Sequence, residues 1–124
     1  MIRQLATFLA AMLIAALPLA AHAAGDAAAG KAKFDLFCAS CHGAGGVGDG
    51  PAAPKDPAPR DFTKGEFKYD ADKDGNPGSD ADLALIIKNG AAAYGGSPLM
   101  VGWGAALQEA DVQNLIAFVR SLKK

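Results

Sequence analysis

Several shortages narrow the function of this 124-residue chain before any motif is considered. Neither sign of charge prevails, with 12 Lys and Arg against 13 Asp and Glu and a formal net charge of -1. That balance excludes a polybasic nucleic-acid binder and an acidic disordered tail. The only cysteines are Cys38 and Cys41, too close together to tie distant segments into the disulfide framework on which small exported domains usually rely. No alternating run of β-branched residues argues for strands, and no segment repeats. The longest apolar stretch, Leu5 to Leu19, falls short of the ~20 residues of a membrane span and is interrupted by Pro18.

That stretch instead has the layout of a secretory signal. Arg3 supplies a positive start, Leu5 to Leu19 the apolar centre, and Ala21-His22-Ala23 a small-x-small cleavage site. The sequence therefore predicts a cleaved signal over residues 1–23, one domain over 24–124, a periplasmic location and no membrane insertion after cleavage. Within 24–124, 20 of the apolar residues are alanine and 25 are larger. A core this thin usually needs a staple.

Three helices are legible. Asp26 is placed to cap a helix running to about Cys38, with Ala27, Gly30, Phe34 and Phe37 on one face. Ser79 and Asp82 form a capping-box pattern ahead of Leu83, Ile86 and Ile87, and Gly90 stops that helix. Val112, Leu115, Ile116, Val119 and Leu122 recur at helical spacing in a third helix, whose Gln108 is a weak cap. The fold class is all-α. Between the first two helices, residues 43–78 are rich in Gly and Pro. A loop so long in so small a domain wraps a ligand or stays disordered, and a ligand would also fill the missing core.

Cys38-Ala39-Ser40-Cys41-His42 is the C-x-x-C-H pattern of covalent haem attachment. Two thiols three positions apart can add across the two vinyl groups of one porphyrin, and the next residue, His42, then falls under the iron. A thioredoxin-like dithiol needs an α/β sheet that is not in view. A structural zinc site needs four ligands, and these residues give three with no Cys or His left elsewhere in 24–124. For the opposite side of the iron, Met100 is the one methionine in 24–124, in a Gly-rich loop after Ser97-Pro98-Leu99. Elimination makes it the second axial ligand, although a lone Met elsewhere is more often a gap-filler.

These residues resemble the class I c-type cytochromes, small exported single-haem electron carriers. The resemblance covers essentially all of 24–124. It rests on the Gly-Asp-Ala-Ala-Ala-Gly-Lys-Ala-Lys-Phe opening, the C-x-x-C-H box continuing as Gly43, the segments Gly48-Asp49-Gly50-Pro51 and Pro59-Arg60-Asp61-Phe62, and Ser97-Pro98-Leu99-Met100 before a C-terminal helix. It implies a cytochrome c fold, three main helices and long loops around one covalent haem c, with the first and last helices crossing so that Gly30 and Phe34 meet Leu115 and Phe118. It also implies a monomeric electron carrier, not an enzyme, that meets a redox donor and a redox acceptor transiently and binds no nucleic acid. By the same analogy the carbonyl of Pro51 or Pro54 would accept the proton of His42, Arg60 and Trp103 would bond the haem propionates, and Tyr94 would line the pocket. Each of these is equally at home as an ordinary surface or core residue. Lys55, Lys64 and Lys68 would guide an acidic partner or simply be solvated.

Two other readings stay open: a dedicated haem c subunit of a respiratory or dehydrogenase complex, and a haem sensor or peroxidase-like enzyme in which Met100 is off the iron. Separately, Asp70, Asp72, Asp74 and Gly75 spell the first half of a calcium loop, with Asn76 able to add a carbonyl. The twelfth position holds Ala81 instead of Glu, and clustered aspartates before a helix also make a soluble turn that favours the helix N-terminus.

Overall fold

The computed structural model describes residues 25–124, so the signal expected over residues 1–23 lies outside the described residues. Four helices follow in order, α1 (Ala27–Phe37), α2 (Ala39–His42), α3 (Asp80–Asn89) and α4 (Glu109–Ser121), with single 3-10 turns at Phe62–Lys64 and Ala92–Tyr94. Among the described residues there is no strand, and no helix is long and apolar enough to cross a membrane.

The helix starts follow from local chemistry. The Asp26 carboxylate accepts from Ala28 N at 2.9 Å and Ala29 N at 3.2 Å, satisfying two amides that have no partner inside α1. Asp82 N donates to Ser79 Oγ at 3.1 Å while Ser79 N donates back to the Asp82 carboxylate at 2.9 Å, a complete capping box. α4 starts better than its weak cap suggested, because the Asp111 carboxylate accepts from Gln108 N at 3.0 Å. The start signal sat three residues inside the helix.

α1 and α4 cross at close range. A Cβ on Gly30 would lie 1.9 Å from the Asn114 carbonyl oxygen, so the two backbones touch there and no other residue fits. Asp26 N donates to Asn114 Oδ1 at 2.7 Å and fixes the register. Beside this contact Phe34, 1% exposed, meets Phe118 edge-on with ring centroids 5.0 Å apart. The crossing expected from the resemblance, Gly30 and Phe34 against Leu115 and Phe118, is the one found, and Val112, Leu115 and Ile116 complete its buried core. α3 packs more lightly on α4, which leaves room between them.

The Met100 loop is docked on the C-terminal end of α3 by main-chain bonds. Ala91 N donates to Met100 O at 3.0 Å, Trp103 N to Ile87 O at 2.8 Å, and Gly104 N to Lys88 O at 3.0 Å. The long Gly/Pro-rich segment is likewise pinned, as described next.

Candidate functional site

Cys38 sits at the break between α1 and α2, and α2 carries Cys41 and His42. A four-residue helix leaves its last carbonyls without intrahelical partners. Here the following loop folds back on them: Ala52 N donates to Ser40 O at 2.8 Å, Gly50 N to Cys41 O at 3.1 Å, and Gly48 N to His42 O at 2.8 Å. Gly48 makes the reversal possible, with φ at +86° and a hypothetical Cβ 2.4 Å from Pro59 O. The glycines after the C-x-x-C-H motif therefore hold the motif in place.

A cavity of about 440 Å³ opens between these elements, within the size range of sites for small molecules and cofactors. Its walls are largely apolar: Leu83 and Ile87 from α3, Leu115 and Val119 from α4, Phe62 and Phe67 from the loop. A second cavity of about 130 Å³ adds Cys41. Cys38, His42 and Met100 line both cavities, so the structure gathers all four residues expected to hold haem around one site.

Burial sets the state of these groups. Burial pushes the His42 imidazole pKa down and keeps the ring neutral. Its plane is set by Phe62, stacked at 4.7 Å and 20°. Burial, then the neighbouring Cys41, pushes the Cys38 thiol up to about 11. His42 Nδ1 is buried without a hydrogen-bond partner, a situation that costs about 1–3 kcal/mol unless something else engages the ring. Two thiols, a neutral imidazole and a thioether around an apolar cavity are a donor set that fits haem.

The secondary expectations fare unevenly. Neither the Pro51 nor the Pro54 carbonyl accepts from His42 Nδ1, which has no hydrogen-bond partner. Pro54 lines the smaller cavity and Pro51 neither. Arg60 lines the larger cavity with its Nη1 donating to Glu66 O at 3.1 Å. Trp103 lines only the smaller one, packed against Phe37 at 5.1 Å. Tyr94 lines neither, since its 3-10 turn folds on the end of α3 and its hydroxyl accepts from Asn89 Nδ2 at 2.6 Å. The tyrosine at the larger cavity is Tyr69, two residues after Phe67. The sequence carried a faint signal for this pair, aromatics on alternate residues inside an otherwise polar loop. Arg120 was also missed: it reaches from α4 to donate to Gly78 O at 2.6 Å and lies 4.9 Å from the centre of the Phe67 ring, bracing a wall of the cavity.

Asp70, Asp72 and Asp74 do converge, with carboxylate oxygens within 4.8 Å of one another. Those oxygens accept from Asp74 N, Gly75 N and Asn76 N at 2.7 to 3.1 Å, the pattern of a polar turn. Asp82, one step late for a calcium ligand, points inward instead and spends its oxygens on Ala71, Asp72 and Ser79.

Comparison with known proteins identifies the family. The cytochrome c family model matches residues 27–123. Cytochrome c-554(547) of Halothiobacillus neapolitanus is 38% identical over 104 residues, covering 81% of this chain and 100% of that protein. A chain of the Kuenenia stuttgartiensis reducing HAO-like protein complex Kustc0457/Kustc0458 superposes with a TM-score of 0.60 at 29% identity over 77% of this chain, which spans 41% of that one. An all-α fold closed by the α1–α4 crossing, a C-x-x-C-H motif beside an apolar cavity and a family match over nearly all the described residues make this chain a member of the cytochrome c family, a haem c protein of electron transfer.

Proposed function

We propose that the protein is a periplasmic one-electron carrier in which Cys38 and Cys41 attach the haem and His42 and Met100 ligate its iron. The observation that carries this reading is the convergence of His42 and Met100 with Cys38 on both cavities and with Cys41 on the smaller one. When bound, haem supplies an iron that accepts and releases one electron. The rest is the work of this chain's own residues. His42 offers a neutral imidazole and Met100 a thioether, a pair that favours the ferrous state relative to two imidazoles and raises the potential. The main-chain bonds that dock the Met100 loop on α3 hold the thioether in one place, so little has to move as the charge changes. The aromatic and aliphatic walls keep water away. With both His42 and Met100 holding the iron, no position would be left for oxygen or peroxide, and the protein would act as a carrier rather than a sensor or a peroxidase-like enzyme.

Replacing Met100 tests this directly. Ferric wild type is expected to show the weak near-infrared band of thioether-to-iron charge transfer, and the ferrous form to resist carbon monoxide. Met100→Ala should abolish the band, admit carbon monoxide and lower the potential, whereas Met100→His should stay six-coordinate with a lower potential. A Met100→Ala spectrum and carbon monoxide response equal to wild type would move the sensor or enzyme reading ahead. The signal-like composition of residues 1–23 supports export, and the mass of protein recovered from the periplasm, expected to begin at Ala24, checks it. The structural relative comes from a complex, which favours the alternative of a dedicated haem subunit. Gel filtration of native extract separates the two, with elution at the size of a single chain supporting the carrier.

A further inference from the structure

His42 is held by rings and not by a hydrogen bond. A ligating histidine is ordinarily fixed in its plane by a group that accepts the proton of its other ring nitrogen. Among the described residues no group does this for His42, whose Nδ1 is buried without a partner. The imidazole instead stacks on Phe62 at 4.7 Å and 20°, while Phe34 approaches it obliquely at 6.4 Å and 48°. Phe62 in turn stacks on Phe67 at 5.9 Å and 28°, and the Arg120 guanidinium lies 4.9 Å from the centre of the Phe67 ring. The run His42, Phe62, Phe67, Arg120 therefore leads from the expected iron ligand on α2 to the last turn of α4.

The far end of this run is firmly anchored. Arg120 Nη2 donates to Gly78 O at 2.6 Å and to Asp80 Oδ1 at 2.8 Å, and Arg120 Nε donates to the same carboxylate oxygen at 3.0 Å. Gly78 presses directly on Phe67: its φ is +79°, and a Cβ there would lie 2.6 Å from Phe67 O and 2.7 Å from Phe67 Cβ. Gly78 N also donates to Tyr69 O at 2.9 Å. The segment carrying Phe67 is thus fastened to residues 78–80, and these to α4, by one planar fork that also covers the Phe67 ring. As an ion pair alone this contact would count for little, because the Arg120 and Asp80 side chains are 37% and 66% exposed. Its particular feature is the combination of a fork bonded along its edge with a flat face on a ring, which arginine supplies and lysine does not. We propose that Arg120 is a positioning residue for electron transfer: by holding Phe67 against Phe62 it sets the plane in which the His42 imidazole meets the iron. The inference rests on the haem assignment above, because that plane matters for electron transfer only if His42 is a ligand. A ring fixed by a stack tied to two helices need not turn as the charge on the iron changes. The charge of Arg120 acts separately, since any cation there opposes the added positive charge of the ferric state, an effect that water and salt screen.

The plane of an axial imidazole is read in the ferric holoprotein, where it governs which haem methyl protons are shifted furthest in the paramagnetic proton NMR spectrum. Arg120→Ala is expected to change the order or spread of those methyl resonances and to lower the potential, with the near-infrared band of Met100 ligation retained. Arg120→Lys returns the charge without the planar fork, so the potential should move back toward wild type while the methyl pattern stays that of the alanine variant. Phe67→Leu removes the ring through which Arg120 acts. Adding Arg120→Ala to Phe67→Leu should therefore leave the methyl pattern of Phe67→Leu unchanged, because substitutions along one chain of contacts do not add. A wild-type methyl pattern in Arg120→Ala, whatever the loss of Tm, would overturn the proposal and leave Arg120 a brace of the fold alone. A wild-type pattern in Arg120→Lys would overturn it in favour of charge. Additive changes in the double variant would overturn it as well, since Arg120 would then reach the site by another route. Should Phe67→Leu fail to retain haem, the comparison of the alanine and lysine variants decides. Failure of the haem assignment looks different: it shows in wild type, as the absence of a low-spin ferric haem spectrum, before any substitution is made.

Discussion

Asp82 shows what one buried carboxylate does for the site. It is 0% exposed, and its oxygens accept from Ala71 N, Asp72 N, Ser79 N and Ser79 Oγ at 2.6 to 3.1 Å. Burial pushes its pKa up, but the bonds from Asp72, Ser79 and Ala71 outweigh burial and hold it below the usual carboxylate range. A carboxyl depressed in the folded state contributes stability above its unfolded pKa and loses that contribution as pH falls through the lower folded value. Asp82→Asn retains the shape but turns one acceptor into a donor facing N–H groups, and removes the charge. The variant is expected to lose roughly 5–10 °C of Tm at neutral pH and to show a flatter acid limb than wild type. Thermal melts across the acid range decide this, and an unchanged acid limb would assign the wild-type dependence to another group. Since the segment that Asp82 ties down follows directly on Phe67 and Tyr69 at the cavity, a small change in the haem spectrum should accompany the loss.

Among the elements, the α1–α4 crossing carries the most packing, and Gly30 sets its distance. Gly30→Ala would put a methyl group 1.9 Å from a main-chain oxygen, which cannot be relieved by turning a side chain. Although alanine is the better helix former, the overpacking is expected to dominate and cost about 1–3 kcal/mol, whereas Ala29→Gly on the exposed face of the same helix should cost no more than about 1 kcal/mol. Denaturant unfolding of the two holoproteins gives the comparison, and equal or greater stability for Gly30→Ala would contradict the close approach. The helix starts at Asp26 and Ser79 were legible because helical spacing and caps are local patterns, the C-x-x-C-H motif because its chemistry requires adjacency, and the crossing only through the family resemblance. Contacts made across the fold were not. Arg120 bracing Phe67, Tyr69 rather than Tyr94 at the larger cavity, and the amides of Gly48, Gly50 and Ala52 satisfying the carbonyls of α2 all depend on how the long loop is laid over the helices. That path is set by glycine turns and main-chain bonds, which leave no periodic trace in the sequence.

At the scale of the whole molecule, the fold and its cofactor are one thermodynamic unit. Only 25 apolar residues larger than alanine serve residues 24–124, and those in the buried core sit mainly at the α1–α4 crossing. The side of α3 and α4 that faces the site surrounds a cavity of about 440 Å³. Without an occupant the apolar side chains that line it would face water, forfeiting burial worth about 25 cal/mol for each Å² of apolar surface. Net stabilities of small domains are only about 5–15 kcal/mol, so a core this thin has little margin for that loss. Collapse of the walls would reduce the cost only by abandoning the main-chain bonds that pin the Met100 loop to α3 and the long loop to α2. Protein carrying both Cys38→Ala and Cys41→Ala, prepared without haem, is therefore expected to show little helical circular dichroism and no cooperative thermal transition, while the holoprotein melts sharply. Near-native helix content with a cooperative melt in the haem-free double variant would mean that the α1–α4 crossing alone suffices to fold the chain, and that the cavity is preformed rather than completed by the group it holds.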